Sequence, residues 1–123
     1  MGKYLQTPAG VAIGLMLAGS MAGPSTAHAI ILSAVPTADQ HVPTGKLAVR
    51  IKFNSRIDKV RSRLQVTAPS GEKADVSIES VGEPNVVRGT TEVLAVGAYV
   101  LRWQVLAVDG HITRGDIPFK VDH

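Results

Sequence analysis

Residues 97–108 read GAYVLRWQVLAV, and their apolar side chains recur at every second position. Tyr99, Leu101, Trp103 and Val105 project to one face of an extended chain, with Val100 and Leu106 on the other. A period of two suits a strand and defeats a helix, in which same-face positions lie three and four apart. Apolar cover on both faces marks a central strand. The alternation also fills KLAVRIKF, where Leu47, Val49, Ile51 and Phe53 oppose Lys46, Arg50 and Lys52. RLQVTA repeats it with Leu64 and Val66, and the turn residues of APSGEK return the chain into ADVSIES as a hairpin. IPFKV alternates through Ile117, Phe119 and Val121, IILSAV opens the set, and TTEVLA is a weaker member. VGEPNVVRG reads as an irregular connection or edge, DGHITRGD as a turn-rich connection, and NSRIDKVRSRL as room for a turn or two of helix. The expectation is one all-β domain, a seven-stranded antiparallel Greek-key sandwich or barrel.

The first 27 residues have a different character. Lys3 is their only charge, VAIGLMLAG is a short apolar run, and SMAGPSTAHA supplies small residues and Pro24 around its end. This is the layout of a cleaved secretory signal peptide over residues 1–27, since a bilayer span needs about 20 apolar residues. With no twin-arginine pair, the general secretory route is expected. Cuts after Ala27 and after Ala29 both satisfy the small-x-small rule. The first makes His28 the opening residue of a mature domain over 28–123; the second discards it. Met1, Met16 and Met21 all lie in the leader and cysteine is absent, so that domain has no soft sulfur ligand.

Composition removes several function classes. Without cysteine there is no disulfide framework and no thiolate site, and there is no G-x-S-x-G elbow or glycine-rich phosphate loop. No spacing marks two acids as a glycosidase pair. Lys and Arg are scattered, which argues against a nucleic-acid footprint. Tyr99 and Trp103 read as core, with Tyr99 also placed to make a strand-corner hydrogen bond. His41 reads as an exposed loop residue, with a role as auxiliary ligand as the sharper alternative. Arg56, Lys59, Arg61 and Arg63 read as a solvated face.

What remains is histidine and acid. In VDGHI, Asp109 and His111 stand two apart, so on extended backbone a carboxylate and an imidazole share a face about 7 Å apart along the chain. Gly110 between them permits a positive φ. An Asp-Gly turn beside a surface histidine is the plain reading of the same residues. If His28 is residue one, however, it offers an α-amine and an imidazole Nδ1 that chelate one ion together. His111 adds a third nitrogen and Asp109 an oxygen. Such a tetragonal set suits Cu(II); Zn(II) can use the same ligands, but the Irving–Williams order favours copper.

These residues resemble the CopC family of periplasmic copper-binding proteins, over essentially the whole of residues 28–123. HAIILSAVP is similar to the family opening H-A-x-L-x-S-x-x-P through His28, Ala29, Ser33 and Pro36, with Ile31 standing for the leucine. LAVRIKFNSRI resembles the family strand that ends F-S/N-E. GAYVLRWQVLAVDGHITRGDIPFKV is similar to the closing signature through Gly97, Tyr99, Trp103, Val105, Asp109, Gly110, His111, Gly115, Phe119 and Val121. The resemblance implies a cupredoxin-like or immunoglobulin-like β-barrel and a Cu(II) site of His28, Asp109 and His111. Three departures stand out: no methionine for a second, Cu(I) site, Ile30 where several members carry histidine, and Ser55 in place of the acid that follows F-S/N.

The function expected is that of a periplasmic, monomeric, non-enzymatic Cu(II) carrier or buffer that passes copper to a CopD-like inner-membrane partner. Two alternatives use the same residues differently. One is a histidine-brace copper oxidase of the lytic polysaccharide monooxygenase kind. The other is a metal-free β-sandwich adhesion or assembly module, favoured by a cut after Ala29. The pairing of His28 with Asp109-Gly110-His111 favours the cut after Ala27.

Overall fold

The computed structural model describes residues 29–123. The leader and His28 lie outside them. The described chain is all β: β1 (Ile31–Val35), β2 (His41–Pro43), β3 (Gly45–Phe53), β4 (Ile57–Thr67), β5 (Lys73–Val76), β6 (Val86–Val93), β7 (Gly97–Ala107) and β8 (Ile112–Asp122). They form a three-stranded sheet, β1-β3-β6, and a five-stranded sheet, β2-β8-β7-β4-β5. All pairings are antiparallel except the short β2, which runs parallel to β8.

The alternating residues build the core as their period requires. Val49, Ile51 and Phe53 of β3 and Leu101 and Val105 of β7 are essentially without solvent contact, and they share one core with Leu64, Val87, Phe119 and Val121 from three other strands. Phe53 packs edge-on against Trp103 with ring centroids 5.3 Å apart, which joins the two sheets. Tyr99 stacks on Phe119, and its hydroxyl donates to the Ala95 carbonyl at 2.8 Å, so both expected roles of Tyr99 are met.

Eight strands stand where seven were expected. The added one is β2, whose three residues are too few to carry a periodic signal. The stretch read as an irregular connection supplies half of β6, because Val86 and Val87 are buried in its ladder with β3. The connection read into DGHITRGD is shorter than expected, since β8 already begins at Ile112. NSRIDKVRSRL forms no helix. Its turn tendency appears as a bulge in β4 between Asp58 and Arg63, where the register against β7 shifts. There Asp58 Oδ1 accepts the Val60 and Arg61 amides at 3.1 and 3.2 Å. A short acceptor side chain capping the following amides competes with the ladder in this way.

Candidate metal centre

β7 and β8 form the longest hairpin of the larger sheet, and their turn carries Asp109 and His111 at one end of the sandwich. The Gly110 amide donates to the Ala107 carbonyl at 2.8 Å and the Ala107 amide to the His111 carbonyl at 2.9 Å. This tight closure puts Gly110 at φ +96°, with no atom near the position a Cβ would take. The glycine is therefore required by backbone conformation and not by crowding.

The turn brings the two predicted ligands together. Asp109 Oδ1 accepts the His111 amide at 3.1 Å and lies 3.3 Å from His111 Nδ1. Both side chains are about half exposed, so an ion can reach them. The hydrogen bond from the His111 backbone holds the Asp109 carboxyl below its ordinary value, and the imidazole adds to that effect while desolvation opposes it. A carboxylate kept ionised is ready to act as a donor. A separation of 3.3 Å also fits neighbouring donors that each sit about 2.0–2.2 Å from one ion. Among the described residues no third His, Cys, Asp or Glu joins this pair to make a metal-sized cluster. The third predicted ligand, His28, lies outside the described residues.

The first described residues, Ala29 and Ile30, are both anchored, and Ala29 is held close to this pair in the chain. The Ala29 amide donates to Thr113 Oγ1 at 3.3 Å, two residues beyond His111, and Ala29 itself is buried. The next amide, Ile30, donates to Asn54 Oδ1 at 2.8 Å, and the Asn54 amide returns a bond to the Ile30 carbonyl at 2.9 Å. Beside Asn54 sits Ser55, whose buried hydroxyl has no hydrogen-bond partner among the described residues. An orphaned buried hydroxyl costs about 1–3 kcal/mol unless something reaches it. Sequence reasoning missed Asn54 and Thr113. Their signal is weak, because an asparagine after a strand and a threonine in a strand each have many ordinary uses.

His41 is not part of this centre. It lies in β2, not in a loop, and its Nδ1 contacts Asp122 Oδ2 at 2.5 Å. It sits opposite Lys120, about 30 Å along β8 from His111 at roughly 3.3 Å per residue. The auxiliary-ligand alternative for His41 therefore fails for this site.

A family-wide comparison matches the CopC domain over residues 31–122, from the first strand to the last. The chain belongs to the CopC domain family. Among solved structures it is similar to CopC from Methylosinus trichosporium OB3b, with 28% identity and a TM-score of 0.68 over 77% of this chain and 94% of that one. It shares its fold with PcoC, a methionine-rich copper resistance protein from Escherichia coli, at 24% identity and a TM-score of 0.60 over 78% of this chain and all of that one. Protein YobA of Escherichia coli K12 is 27% identical over 86% of this chain and 89% of its own. Copper transport protein CutJ of Bacillus subtilis is 25% identical over 79% of this chain, which spans only 18% of that larger protein. The CopC match covers Asp109, His111, Asn54 and Thr113 but begins after residues 28–30.

Proposed function

We propose that this CopC-family protein is a periplasmic Cu(II) carrier. It takes one ion at the amine and imidazole of His28, the Asp109 carboxylate and the His111 imidazole, and passes it to a CopD-like partner in the inner membrane. One observation carries the reading. The Ala29 amide is anchored on Thr113, in the strand that follows Asp109 and His111, which supports a ligand supplied by the residue before Ala29. Two nitrogens from one terminal histidine, one from His111 and an oxygen from Asp109 complete a tetragonal set. Neither donor of the pair is soft, and residues 28–123 hold no Cys or Met, which points to Cu(II) and away from Cu(I). The names of the relatives, copper resistance for PcoC and copper transport for CutJ, support the same cargo.

The reading places leader removal after Ala27, because the amine exists only then. Carriage requires no catalytic step and no redox turnover. The test is titration of the processed chain, beginning at His28, with Cu(II). One ion per chain and a tetragonal electron-spin spectrum are expected, with His111→Ala weakening binding by at least tenfold. An unchanged affinity and spectrum in His111→Ala sinks the proposal.

A further inference from the structure

We infer that Asn54 is a positioning residue of the metal centre: with Thr113 it clamps the backbone of residues 29 and 30, which follow His28 in the chain. The inference rests on the Cu(II) reading above and adds what makes that site a fixed one. A ligand set that uses the first residue of a chain has an inherent weakness, because terminal residues fray unless they are tied down. Held only by its peptide bond, a terminal chelate samples many positions relative to His111. Each binding event must then order the arm.

Three hydrogen bonds remove that freedom here, and they come from both sheets. Asn54 follows β3 of the smaller sheet. It exchanges two bonds with Ile30, one through its side chain and one through its own amide. The regular β1–β3 ladder begins only at Ile31 opposite Phe53 and shifts register before Ser33. Asn54 thus uses a side-chain oxygen to continue pairing where the ladder has given out. Thr113 belongs to β8 of the larger sheet and accepts the Ala29 amide. The Ala29 side chain, 5% exposed, fills the core between these anchors. The arm is consequently fixed to the strand that follows His111 and to the loop that carries Ser55.

Every anchored atom on the arm belongs to the backbone of residue 29 or 30. The clamp can therefore form before and after leader removal. Processing at Ala27 then frees the amine of the residue next to this anchored pair, and needs no change in the anchors themselves. A cut after Ala29 would remove the Thr113 anchor together with His28.

The experiment compares the processed chain with Asn54→Ala, Asn54→Asp and Thr113→Val. Each is read three ways: Cu(II) dissociation constant by competition, nitrogen hyperfine structure in the electron-spin spectrum, and melting temperature without metal. Asn54→Ala is expected to weaken Cu(II) binding at least tenfold and to lose the His111 nitrogen signature in a fraction of molecules. Asn54→Asp keeps an acceptor for the Ile30 amide and is expected to restore both. Thr113→Val should act in the same direction but less, since its bond is the longest of the three. An Asn54→Ala chain that melts lower yet keeps the wild-type affinity and spectrum overturns the inference, because that is what a merely structural residue would do. Should Asn54→Ala fail to fold, wild-type affinity and spectrum in Thr113→Val overturn it instead. A wild-type chain that binds copper and loses it in His111→Ala, but not in the clamp variants, defeats this inference alone. A wild-type chain that binds no copper defeats the proposed function as well.

Discussion

Asp109 and Asp116 are both carboxylates held below their ordinary value of 3.8, for different reasons. For Asp109 the main cause is the His111 backbone amide. For Asp116 it is Arg102, whose Nε donates to Oδ1 at 2.8 Å and whose Nη2 donates to Oδ2 at 3.0 Å. A carboxyl with a lowered folded-state pKa adds stability that is fully present above its unfolded value and is lost as pH falls through the folded one. Carbon-detected NMR titration of the metal-free chain should therefore show both carboxyls titrating below their ordinary value, and the stability these two contribute should be lost as pH falls from that value through the lowered one. Arg102→Gln should return Asp116 toward its ordinary value and leave Asp109 in place. Asp109→Asn keeps an oxygen for the His111 amide and so should preserve the turn, while removing the charge that draws a cation. A metal-free stability curve for Asp109→Asn that fell steeply at neutral pH would contradict this division of roles.

At the scale of single elements, β8 is shaped by one glycine. A Cβ on Gly115 would stand 2.6 Å from Cζ2 and 2.9 Å from Cε2 of Trp103, the ring opposite it in the hairpin. The indole lies against the backbone there and is itself pinned by Phe53. Gly115→Ala is expected to destabilise the fold by about 1–3 kcal/mol through overpacking. It should also shift the emission of the only tryptophan, which urea unfolding followed by fluorescence reads directly. Val at Gly115 should be worse, and a variant as stable as wild type would show that the ring is free to move. The same element explains what could be read in advance. Tyr99, Leu101, Trp103 and Val105 announced β7 because a strand with one core-facing side needs that period. β6 was partly hidden because Gly89 interrupts its pattern. The reason is tertiary: a Cβ on Gly89 would meet the Ser77 carbonyl at 2.5 Å, where the chain leaves β5. The bulge in β4 was visible only as a turn tendency, since its Asp58 caps also serve helix starts. Asp109 and His111 were legible from their spacing around a glycine. Asn54 and Thr113 were not, because their role exists only once two sheets bring the arm between them.

For the whole molecule, copper and stability are linked through the terminal residue. A ligand that binds only the folded state raises its stability by about 2.7 kcal/mol at a free concentration 100 times its dissociation constant. For a domain of this size that corresponds to a rise of roughly 10–20 °C in melting temperature, at about 4–8 °C per kcal/mol. The processed chain should show this rise with Cu(II). A chain carrying one extra residue before His28 has an amide where the chelating amine would be, so the rise should largely vanish at the same free copper. Its metal-free melting temperature should nevertheless equal that of the processed chain, because the anchors at residues 29 and 30 and the core do not involve the amine. His41→Ala supplies the spatial control. It breaks the contact with Asp122 at the far end of β8 and should lower the metal-free melting temperature slightly while leaving the copper-induced rise intact. Differential scanning calorimetry of the three chains, with and without Cu(II), separates the outcomes. If the extended chain rises as far as the processed one, the copper site does not use the terminal amine, and the requirement for a cut after Ala27 falls with it.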